Sequence, residues 1–337
     1  MRNEAIIVIP GLDAREIGYA LERVVKKISE RQQISDVNIL GEGNGQKKSV
    51  ELTFKHTSEK KTIDVFEVFW GDIVNENYSE ELPLWKKVIF GLELITFWVF
   101  SSVWKGALKN KFLFSAITFS GLIITGWYLS VLGILATAIY NTKFLVEHLA
   151  LSELPAWFPE VSLGLGIFLG AFPTALLIRA SGFSMKFIKS ALVRDAIKGR
   201  IGSQMNYITT SNKYDRVTLF SHSMGAIPTI DYLSNYQKNS DIKVRSITVG
   251  AAISFFAYKS SLIRTDLIEC SNNSHIDEWL DFFSKEDYLC AYETIDELGE
   301  NFYSQELKMD SSWLSRLSNK VHVQYFDDSR VIEKLIS

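Results

Sequence analysis

The sequence predicts an α/β protein, a mostly parallel sheet with helices on both faces, interrupted by an apolar helical insertion. Three observations predict it. Short β-branched runs alternate with segments of helical period, these runs lie on both sides of one long apolar block, and a Ser/Gly turn late in the chain joins a strand to a helix. The boundaries that follow are 1–84 for the first part of the core, 85–180 for the insertion and 181–337 for the second part of the core.

Ala5–Ile9 is a β-branched run closed by Pro10-Gly11, and from Asp13 to Ser29 the apolar positions recur at helical spacing. Val37–Leu40, Val50–Phe54 and Ile63–Trp70 read as further strands, the last closed by Gly71-Asp72. Beyond the insertion, Phe187–Tyr207 is an amphipathic helix and Thr210–Tyr214 a polar turn. Val217–Phe220 is a strand, and Ala226–Leu233 a helix. Val244–Val249 and Glu278–Phe283 are strands, Val321–Tyr325 a short strand or loop, and Val331–Ile336 a closing helix. There is no internal repeat and no low-complexity linker.

The insertion holds three apolar stretches: Val88–Trp104 with Glu93 inside it, Phe112–Tyr140 with no charge, and Val161–Ile178 with no charge. A bilayer span takes about 20 apolar residues, so the second is long enough and the third barely so. Both flanks of the insertion feed one sheet and must lie on one side of a membrane, so the number of crossings is even. Lys86, Lys87, Lys105, Lys109 and Lys111 flank the first stretch, and Arg179, Lys186, Lys189 and Arg194 follow the third. Lys143, Glu147, Glu153 and Glu160 lie between the second and third. Positive residues stay on the cytoplasmic side. The expectation is an interfacial or re-entrant segment at 88–104 with Glu93 toward headgroups or protein, spans at 112–140 and 161–178, and a cytoplasmic core. A re-entrant second stretch is the alternative, suggested by Gly121, Gly126 and Gly133. Of Trp85, Trp104, Trp127 and Trp157, three are expected in an interfacial belt. A soluble lid is disfavoured, because a water-soluble helix pair needs a polar face.

Ser221-His222-Ser223-Met224-Gly225 sits between the strand Val217–Phe220 and the helix Ala226–Leu233. Small residue, any residue, Ser, any residue, Gly at such a junction is a nucleophile elbow, a turn tight enough to lift the hydroxyl clear of the sheet edge. A serine hydroxyl needs a base to take its proton and a carboxylate to hold that base. In sheets with this elbow the chain order is Ser, acid, His. Of the five histidines, His56, His148 and His222 precede or sit in the elbow, and His275 precedes the strand expected to carry the acid. His322 is left. The loop after Trp279–Phe283 offers Asp287, with Glu286 in reserve and Asp281 inside the strand. The oxyanion donors are expected at the backbone N–H groups of Met224 and Leu12, with Gly11 allowing close approach of substrate. His222 is expected to pack under the turn, and Cys270 and Cys290 to be ordinary buried thiols.

The chain resembles α/β-hydrolases of the lipase and serine-esterase type. The residues that carry the resemblance are Ile7-Val8-Ile9-Pro10-Gly11, Ser221 to Gly225, Trp279 with Asp287, and His322-Val323-Gln324-Tyr325-Phe326-Asp327-Asp328. It departs from the usual pattern in having Ser221 for Gly at the first elbow position and Pro10 where many members have His. The resemblance implies a serine hydrolase that cleaves an acyl ester, and the position of the apolar insertion adds the expectation of a membrane anchor and a lipid-derived substrate. The same residues admit an acyltransferase, or a membrane scaffold or sensor that has kept the fold.

Composition bounds the remaining classes. Charged residues are 22 % of the 337 and the net charge is −3, so no global electrostatic case for nucleic acid exists. The two cysteines have no metal-ligand spacing and make no disulfide framework, and neither metal nor cofactor is expected. The first residues run straight into a strand with no secretory signal pattern.

Overall fold

In a computed structural model, the structure describes residues 2–12, 16–31, 34–42, 47–54, 60–76, 84–99, 103–109, 111–140, 155–170, 174–237, 241–287, 289–290, 295–309, 311–312, 315–316 and 320–337. The strands are β1 (Arg2–Ile9), β2 (Ile34–Glu42), β3 (Lys47–Phe54), β4 (Lys60–Glu67), β5 (Arg216–His222), β6 (Lys243–Val249), β7 (Glu278–Phe283) and β8 (Phe302–Glu306). They form one sheet in the order β2-β3-β4-β1-β5-β6-β7-β8. From β4 to β8 all pairings are parallel, while β2 and β3 attach as an antiparallel edge. β1 pairs β5 with Ile9 opposite Ser221, so the two halves of the chain meet at the centre of the sheet.

Alternation along the strands sends side chains to two cores. Ala5, Ile7 and Ile9 join Leu219, Ile227 and Trp279 on one face, against helices α7 (Thr174–Lys189), α8 (Ala191–Thr210), α9 (Ala226–Ser234), α10 (Ile253–Lys259) and α11 (Ser261–Asn272). Ile6 and Val8 join Phe220, Ile247 and Phe282 on the other, against α1 (Tyr19–Ser29) and α12 (Ser329–Ile336). Helices on both faces bury the central strands on both sides, with the polar Thr218, Arg245, Thr248 and Asp281 buried among their apolar residues.

Several elements differ from the sequence reading. Asp13 lies outside the described residues, and α1 begins at Tyr19, after Gly18 at φ 88°. The Ile63–Trp70 strand ends at Glu67, and α2 (Gly71–Glu76) follows. Val321–Tyr325 is neither strand nor plain loop but part of a 3-10 turn, Val321–Asp327, because it must return the chain beneath the sheet edge. The helix expected from Phe187 starts at Ala191, where Ser190 accepts from Val193 N at 3.4 Å and caps it. β8 was not read from the sequence.

In the insertion, the 88–104 stretch falls into α3 (Leu84–Val99) and α4 (Val103–Lys109). Glu93 is exposed and pairs with Lys189 at 2.8 Å. Helix α5 (Lys111–Tyr140) contains Gly121–Tyr140, which among the described residues is the one helix long and apolar enough to cross a membrane. The expected second span, 161–178, falls on α6 (Phe158–Gly170) and the start of α7, with 171–173 outside the described residues, and among the described residues no second helix is long and apolar enough to cross a membrane. Lys143, Glu147 and Glu153, used in the charge argument, lie outside the described residues.

Helices α5 and α6 pack through small residues. A Cβ on Gly126 would lie 2.8 Å from Leu169, one on Gly166 would lie 3.3 Å from Ser130, and Gly133 meets Ser162. Small residues allow the backbones to approach closely. The outer faces carry exposed Leu122, Leu129, Val161, Leu163, Ile167 and Phe168. Trp157 is exposed, Trp104 is half-buried and Trp127 packs into an apolar cluster with Leu94, Ile123, Ile124, Leu169 and Met185, while nothing is described of the Trp85 side chain.

Candidate active site

Strand β5 delivers the chain to Ser223 with no room to turn gradually. Ser223 opens a one-turn 3-10 helix, Ser223–Gly225, and α9 follows at once. The backbone of Ser223 is at φ 54°, a left-handed conformation that costs a non-glycine residue of order 1–3 kcal/mol and persists only where surroundings enforce it. Gly225 shows what enforces it. A Cβ there would lie 2.5 Å from the carbonyl oxygens of both Ile9 and Pro10, so only glycine lets the elbow sit against the end of β1. Ser221 is fully buried, which restricts that position to a small side chain.

The acid comes from the end of β7. A turn in which Asp287 N donates to Ser284 O at 3.1 Å brings the Asp287 carboxylate back over the sheet edge. Its Oδ1 accepts from Leu289 N at 3.0 Å, and its Oδ2 accepts from the Tyr325 hydroxyl at 3.1 Å. The Tyr325 hydroxyl in turn accepts from Ser284 N at 3.0 Å, so the carboxylate is fixed from two directions. Its ring fills the space beside Gly250, which sits at φ 59°.

His322 bridges the two. Nδ1 lies 2.7 Å from Asp287 Oδ2, and Nε2 lies 2.6 Å from Ser223 Oγ. An ionised carboxylate can only accept, so the proton sits on Nδ1, and Nε2 is left as acceptor for the serine proton. Asp287 and His322 are 2 % and 4 % exposed. Water therefore competes little for these bonds.

His222, inside the elbow, sends its ring beneath His322. Its Nε2 lies 2.8 Å from the His322 carbonyl oxygen, and because a carbonyl only accepts, His222 Nε2 carries a proton. The two imidazoles are 4.8 Å apart, and Phe326 packs on the other side at 4.9 Å. His222 thus grips the backbone of the bridging histidine.

The remaining sequence-derived candidates fall as follows. Glu286 turns away from His322, accepting from Arg316 at 2.8 Å and Ser311 at 3.0 Å. Asp281 is buried under the sheet edge, accepts from Thr248 at 2.6 Å, and is pushed up to about 7 by burial. Met224 is buried in the turn. Gly11 and Leu12 leave β1 beside the elbow, since two residues beyond the Ile9–Ser221 pair on each strand stand Gly11 and Ser223. Both cysteines are buried thiols, and burial pushes them well above the ordinary range. Among the described residues no group of three or more His, Cys, Asp or Glu could hold a metal ion.

Tyr325 and His222 were not given these positioning roles from sequence. The His322-x-x-Tyr325 spacing was visible, but the hydroxyl's partner, 38 residues away, was not.

The insertion reaches the site. Ser184 Oγ on α7 lies 3.9 Å from Met224 Sδ. Leu289, two residues past Asp287, packs against the cluster of Leu94, Ile123, Ile124, Leu169 and Met185. At this sheet edge a serine hydroxyl, an imidazole and a carboxylate stand in a line, an order of acceptors that can take a proton from the hydroxyl. No protein-family model, curated protein or solved structure matches this chain.

Proposed function

We propose that the chain is a serine hydrolase of the α/β-hydrolase type, held at a membrane by its apolar insertion, that cleaves an acyl ester taken from lipid. The observation that carries the reading is the unbroken line Ser223 Oγ, His322 Nε2, His322 Nδ1, Asp287 Oδ2, at 2.6 and 2.7 Å. Three residues distant in sequence meet with complementary donors and acceptors, on a serine whose backbone is held in a costly conformation.

In this reading His322 Nε2 takes the Ser223 proton as Oγ attacks the acyl carbonyl. The oxyanion is held by backbone N–H groups at Met224 and in the Gly11-Leu12 loop. His322 returns the proton to the leaving alkoxide, and water, activated by the same imidazole, releases the fatty acid from the acyl-enzyme. Asp287 keeps the imidazole in the required tautomer and stabilises its charged form.

The lipid part of the reading rests on the exposed apolar faces of α5 and α6, and on the apolar cluster that reaches Leu289. An anchored hairpin with the core on the cytoplasmic side fits Lys86, Lys87, Arg179, Lys186 and Lys189 at its base. The test is labelling of the purified chain by a fluorophosphonate, with Ser223→Ala as control, followed by release of fatty acid from glycerolipid and phospholipid vesicles. Serine-dependent labelling and release support the reading. Folded protein that does not label favours a scaffold, and equal turnover of short soluble esters with and without lipid counts against entry from the bilayer.

A further inference from the structure

We propose that Trp70 is a positioning residue for the oxyanion loop, taking its own seat from Phe183 on the helix that closes the apolar insertion. The inference rests on the hydrolase reading and concerns how that site is kept competent.

The loop after β1 begins with Pro10, which has no N–H, so its donors must come from Gly11 and Leu12. In a trans peptide the Pro10 carbonyl and the Gly11 N–H point in opposite directions. Trp70 Nε1 donates to Pro10 O at 2.9 Å in a buried bond. That bond fixes the peptide plane, with the carbonyl on Trp70 and the Gly11 N–H directed away from it. Gly11, without a Cβ, is the residue beside which peptide planes rotate at least cost. A rotated plane would present carbonyl in place of N–H and exchange attraction of an oxyanion for repulsion.

The same carbonyl is wedged against the elbow, since a Cβ on Gly225 would lie 2.5 Å from it. Removing the indole donor leaves a buried carbonyl without its partner, which favours rotation of the plane.

Trp70 is held in turn by α7, the helix that runs from the insertion into the core. Its ring lies 5.2 Å from that of Phe183, and Phe183 lies 6.2 Å from Phe187, all three fully buried. Ser184, the next residue of α7, touches Met224, whose N–H is the other donor. One helix therefore braces both sides of the oxyanion site, and it is the helix through which the apolar insertion joins the core.

The test compares wild type, Trp70→Phe and Phe183→Leu in detergent micelles, using p-nitrophenyl butyrate and a fluorophosphonate, with rates expressed per titrated active site. Trp70→Phe keeps a ring beside Phe183 and removes only the donor. Its kcat and its labelling rate are expected to fall about tenfold or more, with KM within about twofold of wild type. Phe183→Leu keeps the donor and loosens its seat, and its kcat is expected to fall about threefold with KM unchanged. A structural role alone lowers Tm and leaves kcat per site at the wild-type value, and that result in Trp70→Phe overturns the inference. Should Trp70→Phe yield no folded protein, Phe183→Leu decides, wild-type kcat again being the overturning result. Wild type that neither labels nor turns over withdraws the hydrolase reading and this inference together, whereas a reactive wild type with unaffected variants removes the inference alone.

Discussion

The sheet edge around Ser223 and the outer faces of α5 and α6 are opposite solutions to one problem. At the edge, polar groups are buried, and each relay atom has a named partner: His322 on Asp287 and Ser223, Asp287 on Tyr325 and Leu289 N. On the hairpin, apolar groups are exposed, Leu122, Leu163, Ile167 and Phe168 among them. Buried polar atoms are kept by hydrogen bonds, so their geometry is intrinsic to the fold. Exposed apolar surface is kept only if something else removes it from water, and a bilayer does so for a contiguous patch. The first region is completed by the chain's own hydrogen bonds, while the second, in the proposed reading, is completed by a lipid surface.

Breaking the relay should have the largest effect. Asp287→Asn leaves the shape of the acid loop but changes which imidazole nitrogen holds the proton, and kcat for ester cleavage is expected to fall about 10⁴-fold. Steady-state kinetics with active-site titration checks this.

A paired substitution sharpens the contrast. Trp279 of β7 is fully buried, its ring meeting Phe302 edge-on and its Nε1 donating to Thr248 at 3.1 Å. Trp279→Ala is expected to cost about 3–5 kcal/mol in unfolding stability. Ile167→Ala, on the exposed face of α6, is expected to leave core unfolding unchanged and to weaken flotation with vesicles. Equal effects of the two on denaturation would mean that the hairpin face is part of the core.

Asp281 gives a pH test of the buried side. Burial raises its carboxyl to about 7, so the neutral form is the one the fold prefers. The stability it contributes is complete below the ordinary carboxylate range near pH 4 and is lost as pH rises through about 7. Wild-type Tm is expected to decline across that window and the Asp281→Asn profile to be flatter, as thermal melts at stepped pH would record.

Tyr325→Phe carries the smallest change, removal of one oxygen that bonds Ser284 N and Asp287. The expected loss is about 1 kcal/mol of stability with a several-fold fall in kcat. A fall in stability with unaltered kcat would show that Leu289 N alone suffices to hold the carboxylate.

Legibility in the sequence followed the range of the interaction. The elbow was readable because its constraints are local: Ser223 must take the left-handed turn, and Gly225 must lack a Cβ, within one short segment. The central strands were readable because both their faces are covered and short, mostly apolar runs mark them, at 6–9, 217–220 and 247–249. β8, Phe302–Glu306, was not, because its side chains are largely exposed and carry little apolar pattern. Asp287 and Glu286 are adjacent and chemically alike, so no local rule separates them. The turn at Ser284 and the position of Arg316 do.

By itself the sequence determined the alternation of strand and helix, the apolar block between the two halves of the core, and the tight turn at Ser223, since each depends on residue period or on the steric demand of a few neighbours. Tertiary structure alone decided that Asp287 faces His322, that His222 and Tyr325 hold the relay in place, and that Trp70 and Phe183 tie the first loop to the insertion. Those contacts join atoms tens to hundreds of residues apart, and only the packing of the sheet and its helices brings them within hydrogen-bonding distance.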